Sequence, residues 1–346
     1  MIGCFNRVCE IEEEPEKVMA STEIAEVTKA NVYERMSRIE RPWTQNYLAM
    51  YSSLWQGVTL DPDLMWVPAD DHMVHRGDAV FDAMRCVDGS IYQFQRHLLR
   101  LKRSADAIEL PLPMALEELS GLILEVVRRG GEKDTLIRVS ISRGPGGFST
   151  NPYECHGPQL YINVIRYNPP PKRYYEKGAN VISSKYPQKD PFFANIKSCN
   201  YLLNVLMKKE AIDSGVDYAV GIDKDGCVTE GSTENIMIFT QEGHLVFPPF
   251  DNVLTGTTAL RVKELSEDLV KEGIIKGVLE RNIKKEELFL AKEIFLTGTS
   301  INVMPVTRFD GVQISNGRPG ELFSILNQRL LNDMYFNRSL LTPVFF

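Results

Sequence analysis

The sequence predicts an α/β protein of the α+β kind, folded as two lobes, and three observations predict it. Segments with helical spacing of apolar residues alternate with short runs rich in β-branched and aromatic residues. The chain has 346 residues, more than one hydrophobic core usually serves. Three consecutive prolines, Pro169, Pro170 and Pro171, interrupt it near its middle, where neither helix nor central strand continues.

The elements follow in order. Residues 1–45 are rich in Glu, Lys and Ala, with weak helical spacing of Ile24, Val27, Val32 and Met36, and read as an N-terminal arm that could serve an oligomer contact. A small domain is expected over 46–168. It opens with strands within 47–67 and continues with a hairpin, 81–87 and 91–94, around Asp88-Gly89-Ser90. Leu98, Leu101 and Ala105 share one face of a helix over 95–108 that stops before Pro111. A second helix over 116–129 closes at Gly130 and Gly131, and alternation predicts strands over 135–142 and 159–166. After the linker 169–173, a larger domain over 174–346 should hold a strand at 179–184, a helix over 198–214 and a strand pair about Asp225-Gly226. Strands at 236–239, 244–247, 294–297 and 301–306 and a helix over 258–272 complete it, and no internal repeat is visible.

Composition removes several classes of function. With 43% hydrophobic and 25% charged residues the chain is not disordered. Its 46 acidic and 39 basic residues give a net charge of −7, with no basic tract for a nucleic acid. No run of apolar residues is long enough to span a membrane, and residues 10–14 (Glu-Ile-Glu-Glu-Glu) are acidic where a signal peptide would be apolar. A soluble, cytoplasmic protein is expected. The cysteines form no Cys-x-x-Cys and the histidines no His-Glu-x-x-His, so no metal site is expected.

A few residues could carry chemistry. Lys197 stands where an extended stretch meets the helix expected from 198, and the partial positive charge of a helix start would oppose protonation of its amine. A lysine so placed is nucleophilic and can form a Schiff base, although a lysine taken alone is usually a solvated surface group. Glu230 ends a strand before Gly231, where its carboxylate could pair with a protonated pyridine nitrogen or merely cap a turn. Two hydroxyl-rich turns, 254–258 (Leu-Thr-Gly-Thr-Thr) and 296–300 (Leu-Thr-Gly-Thr-Ser), could expose backbone N–H groups to a phosphate, and Arg100 would add a cationic fork.

Read in order, these motifs resemble the fold-type IV enzymes that depend on pyridoxal 5'-phosphate (PLP), the group of branched-chain aminotransferases, D-amino acid aminotransferases and aminodeoxychorismate lyases. The resemblance runs from about Asp71 to Val306 and takes in 71–85, 97–104, the Ile-Lys-Ser-Cys-Asn-Tyr of 196–201 and the Thr-Glu-Gly-Ser-Thr-Glu-Asn of 229–235. It implies a D-amino acid aminotransferase-like fold, PLP as cofactor, a homodimer, and amino acid and 2-oxo acid substrates. Lys197 would then form the Schiff base and move the substrate proton, Glu230 would pair with the pyridine nitrogen, and Tyr201 would meet the ring's 3-oxygen. Arg100, Thr257, Thr258 and Thr299 would surround the phosphate. On the substrate side the candidates are Arg76, Phe81, Arg138, Arg143, Phe148 and Ser300.

Departures from the subfamilies bear on the substrate. Phe148-Ser-Thr150 stands where D-amino acid aminotransferases carry Arg-x-His and where the lyases carry an arginine. Arg138 resembles the branched-chain enzymes, but Leu136 and Arg76 occupy positions where those enzymes show tyrosines. The sequence therefore predicts a ping-pong aminotransferase, branched-chain L-amino acids being preferred. The alternatives are D-amino acids, an aminodeoxychorismate-type lyase, and a non-catalytic PLP-binding scaffold. Arg76 or Arg143 is expected to place a positive charge at the pocket mouth.

Overall fold

The computed structural model describes residues 24–345 and divides the chain into two compact units, Met1–Trp43 and Thr44–Phe346. In the first unit the described residues hold one helix, Val32–Met36; the expected arm before residue 24 lies outside the described residues.

Two sheets organise the second unit. A seven-stranded antiparallel sheet has the order Leu341–Pro343, Ser90–Tyr92, Ala79–Val87, Thr135–Ser142, Gln159–Arg166, Tyr47–Ser52 and Gly57–Thr59. The turn joining Ala79–Val87 to Ser90–Tyr92 places Asp88 at φ 45° and Gly89 at φ 80°, the left-handed pair that matches the twist of a two-residue hairpin. Helices Phe94–Ala107 and Leu116–Gly130 cover one face of this sheet. Leu98, Leu101 and Ala105 of the first helix and Leu119, Ile123 and Val127 of the second recur every three or four residues, and all are buried in one core with strand residues Met84, Ile137 and Ile162. Gly131, at φ 76°, ends the second helix as its C-cap.

The nine-stranded sheet is mixed. From Asn235–Phe239 the order runs through Glu293–Gly298, Asn302–Phe309, Ala179–Ser183 and Tyr218–Ile222 to Val228–Gly231. Val228–Gly231 also pairs back with Asn235–Phe239 through Glu230 and Asn235, so these six strands close into a ring around Val181, Val220, Leu296 and Met304. Helices Thr257–Lys271 and Glu321–Phe336 pack outside it, with Val262, Leu269, Leu326 and Leu330 in their shared core. Among the described residues no helix is long and apolar enough to cross a membrane.

Three expectations need correction. The helix expected over 198–214 begins only at Leu202, because the preceding residues are bound as an extended strand-like segment: Phe81 N–H donates to Lys197 O at 2.8 Å and Cys199 N–H to Ala79 O at 2.8 Å. The larger domain does not hold the chain to its end, since Leu341–Pro343 returns to the first sheet beside Ser90–Tyr92. The helix Glu321–Phe336 was not expected, although Leu322, Leu326, Leu330 and Met334 repeat every four residues and are buried.

That helix is also tied electrostatically. Asp333 accepts from Arg261 Nε at 2.9 Å and Nη2 at 2.6 Å, as well as from the Tyr92 hydroxyl and from Asn337 Nδ2 at 2.7 Å. Without Asp333, Arg261 keeps Glu264 but loses two of its donors' partners, and Tyr92 loses its acceptor. Asp333→Ala is expected to cost about 3 kcal/mol of stability, read as a lower urea midpoint at unchanged slope; an unchanged midpoint would show that this tie contributes nothing.

Candidate active site

Between the two sheets lies a cavity of about 300 Å³. The strand Ala79–Val87 supplies Phe81, Thr135–Ser142 supplies Arg138, the helix Phe94–Ala107 supplies Arg100, and the extended segment before Leu202 supplies Lys197 and Tyr201. From the second sheet come Thr257 and Thr258 at the start of the helix Thr257–Lys271, and Thr299 and Ser300 after the strand Glu293–Gly298.

Lys197 is 9% exposed, and its Nζ donates to the Tyr201 hydroxyl at 3.3 Å and lies 4.8 Å from the centre of the Phe81 ring. Burial first, and then the Arg100 guanidinium, bring its amine down to about 8, against the opposing pull of Asp82 and Glu230. The cause differs from the one the sequence suggests: the helix starts five residues later, so burial and a neighbouring cation replace the helix terminus. Burial likewise pushes the Tyr201 phenol upward, with Glu230 adding to it.

Glu230 stands behind this wall, in a small crevice with Lys189, Asn204 and Met207. Its Oε2 accepts the Leu254 N–H at 2.9 Å. Burial raises its carboxyl, while that N–H, Lys189 and Lys197 act to keep it ionised.

Arg100 is held by a buried network. Its Nε and Nη2 donate to the two oxygens of Asp82, each at 2.8 Å, and Nη1 donates to Thr255 O at 3.3 Å. His97 Nδ1 lies 2.7 Å from Asp82 Oδ1, and its Nε2 lies 3.4 Å from Thr257 Oγ1. Burial lowers the His97 ring below its ordinary value, which favours a neutral imidazole that donates from Nδ1 and accepts the Thr257 hydroxyl at Nε2. Although burial alone would raise it, the Asp82 carboxyl is held far below the usual range by Arg100 and His97. The loop before Thr257 is pinned as well: Asn235 Nδ2 donates to Leu254 O at 2.8 Å, and Asn195 Oδ1 accepts the Thr255 hydroxyl at 2.7 Å. Any Cβ on Gly256 would fall 1.9 Å from Asn235 Oδ1. Across the cavity the Tyr167 and Tyr175 hydroxyls donate to Ser300 O and Ile301 O, each at 2.9 Å, steadying the loop that holds Thr299.

These donors fit a phosphorylated aldehyde. The helix Thr257–Lys271 has no side-chain cap, so its first N–H groups remain open beside Arg100 and the hydroxyls of Thr257, Thr258 and Thr299, a donor set suited to a phosphate dianion. A buried lysine of lowered basicity suits carbonyl capture. Among the described residues no group of three or more His, Cys, Asp or Glu could hold a metal ion.

Four expected residues stand apart from the cavity lining. Glu230 is behind the wall, as described. Arg143 pairs with Asp78 through Nη2 at 3.0 Å and Nε at 3.1 Å and donates to Glu109 O and Ile108 O, so its guanidinium is spent on the loops it ties. Arg76 donates to Ser149 O at 3.2 Å, to His75 O at 2.9 Å and to Phe148 O. Phe148 is 66% exposed and packs on His75. The positive charge on the cavity wall is instead Arg138, 4.0 Å over the Phe81 ring and without a carboxylate partner among the described residues. Sequence reasoning missed Asp82, Asn195, Asn235 and Tyr167. Asp82 left a signal, since a lone carboxylate inside the apolar strand Ala79–Val87 needs a buried cation.

The fold is that of a class IV aminotransferase, and the chain belongs to that family: the Amino-transferase class IV family model matches residues 79–309. Family membership makes it an aminotransferase that uses PLP. Among known relatives, the chloroplastic D-amino-acid transaminase of Arabidopsis thaliana is 40% identical over 84% of this chain and 77% of its own length. A putative branched-chain-amino-acid aminotransferase of Methanocaldococcus jannaschii is 34% identical over 75% of this chain and 88% of its own. The crystal structure of the Escherichia coli branched-chain amino acid aminotransferase superposes with a TM-score of 0.79 at 25% identity, covering 86% of this chain and all of that one.

The Lys197 environment is directly measurable. In full-length protein freed of cofactor, acylation of Lys197 followed by peptide mass spectrometry should rise with pH to half-maximum near 8. A midpoint near that of an exposed lysine, about 10.4, would contradict the buried site.

Proposed function

We propose that this protein exchanges an amino group between an α-amino acid and a 2-oxo acid in two half-reactions, with Lys197 as the catalytic residue. The observation that carries the reading is the buried Lys197 amine, brought down to about 8 within reach of Tyr201 and beside Arg100. Bound PLP supplies an electron-withdrawing ring that acidifies the Cα–H of an attached amino acid. Arg100, Thr257, Thr258 and Thr299 would bind its phosphate, and Glu230, reached through the wall behind the cavity, would hold a proton on its pyridine nitrogen. Tyr201 steadies Lys197 Nζ and would lie at the 3-oxygen, and that amine would take and return the Cα proton.

Arg138 receives the substrate carboxylate, Phe81 and Leu136 line the side-chain wall, and Ser300 lies at its edge. That apolar wall suits an aliphatic side chain of either handedness. The identity of 40% to a D-amino-acid transaminase exceeds the 34% to a branched-chain relative, which moves D-amino acids ahead of the branched-chain L-amino acids expected from the sequence. The Arg76, Arg143 and Phe148 assignments have no support from the cavity geometry.

A panel of L- and D-amino acids with pyruvate and 2-oxoglutarate tests the reading. Turnover with D-alanine or D-valine above the L-enantiomers supports it, turnover confined to L-leucine, L-isoleucine and L-valine restores the branched-chain assignment, and no turnover with any donor overturns the aminotransferase reading. Lys197→Ala should lose on the order of 10³-fold in kcat. Arg138→Ala should raise the Michaelis constant about 10-fold with kcat nearly kept.

The active form is proposed to be a homodimer. Phe192, Phe193, Leu202 and Val205, all at least 57% exposed, flank the Lys197 segment and leave an apolar surface suited to a second copy. Light scattering should give a mass near twice 39.2 kDa, and Leu202→Glu with Val205→Glu should halve it. A cytoplasmic location is proposed; fractionation with chloroplasts, the compartment of the Arabidopsis relative, would overturn it.

A further inference from the structure

A second lysine attends the site without belonging to its lining. Lys189 sits in the coil before the short helix Pro191–Ala194, partly buried, and makes no ion pair or hydrogen bond with any described residue. Its Nζ lies 4.9 Å from the centre of the Tyr201 ring, whose hydroxyl is the acceptor for Lys197 Nζ. On its other side it shares the narrow crevice that holds the Glu230 carboxylate.

The placement is built by its neighbour. Gln188 Oε1 accepts the Thr229 hydroxyl at 2.7 Å, tying the coil to the strand Val228–Gly231 that carries Glu230. The Gln188 amide lies flat against Gly221, where a Cβ would fall 1.9 Å from its Cδ. Gly221 and Thr229 together seat Gln188, and the next residue, Lys189, reaches the Tyr201 ring while lining the crevice of Glu230.

We propose that Lys189 is a positioning residue whose positive charge helps keep Glu230 ionised and Lys197 Nζ unprotonated in the resting enzyme. A nearby cation favours an ionised carboxylate and disfavours a second ammonium, so one charge serves both partners. The idea rests on the aminotransferase reading of Lys197 and Glu230. Other groups act on the same pair: Arg100, Asp82 and His97 face Lys197, while Lys197, Glu234 and the Leu254 N–H act on Glu230. Arg100 is committed to Asp82; burial lowers the Lys189 amine from its ordinary value, and the Glu230 carboxylate opposes that by favouring the charged form.

The test uses full-length protein and three variants, Lys189→Met, Lys189→Gln and Lys189→Arg, in two assays. In protein freed of cofactor, the acylation midpoint of Lys197 should rise by about half a pH unit or more in the two neutral variants, an approximately threefold slower reaction at pH 7, and Lys189→Arg should restore it. After loading with PLP, the pH midpoint of the visible absorbance should move with the charge at position 189 in the same pattern. Neutral variants that keep the wild-type midpoints overturn the proposal, and so does an arginine variant that behaves like methionine. Either neutral variant suffices if the other fails to fold. Failure of borohydride to trap PLP on wild-type Lys197 would instead refute the aminotransferase reading, and it leaves the acylation measurement intact.

Discussion

Two backbone hydrogen bonds join the lobes where the chemistry lies. Phe81 donates to the Lys197 carbonyl and Cys199 donates to the Ala79 carbonyl, so a segment of the second half of the chain lies as an extra strand against the first sheet. This pairing stops the helix from starting before Leu202 and turns Lys197 inward beside the Phe81 ring. It also brings that lysine against the strand that carries Asp82, the carboxylate paired with the helix-borne Arg100. Had the segment wound into helix from 198, its N–H groups would have been spent locally, and the amine would have had no reason to be buried.

From that pairing the electrostatics follow. A buried aspartate is tolerable only with compensation, and Asp82 has it from both Arg100 and His97. Arg100 is thereby fixed beside the open N-terminus of the helix Thr257–Lys271, where backbone and side chain together present positive charge to a phosphate. The same guanidinium lowers the basicity of Lys197. Glu230 is placed differently. It sits where the second sheet closes on itself, paired in register with Asn235, whose amide in turn pins the loop before Thr257. Closure of the ring thus sets the carboxylate and the phosphate loop in one step.

Much of this was readable from residue pattern. The strands at 135–142 and 159–166 show strand-like alternation and appear as Thr135–Ser142 and Gln159–Arg166, and Gly131 marks the helix end before the first of them. Arg100, Lys197, Tyr201, Thr257, Thr258 and Thr299 converge on one cavity with Phe81, Arg138 and Ser300. Arg143 does not, because Asp78 and two loop carbonyls claim its guanidinium, and Arg76 is claimed by the carbonyls of its neighbours. An arginine's partners are chosen in three dimensions, and its position in a motif does not name them. Arg138, on an alternating strand, faces the cavity because the pleat of that strand decides it.

By itself the sequence determined the type and order of most elements, because hydrophobic period and turn chemistry are local, and it determined which side chains could perform the chemistry. Only the tertiary structure decided why Lys197 is a weak base, where Leu341–Pro343 goes, and that Gln188 seats Lys189 beside Glu230. Each of those depends on burial or on a backbone partner supplied by a distant part of the chain. Desolvation and non-local hydrogen bonds have no local period for a sequence to display.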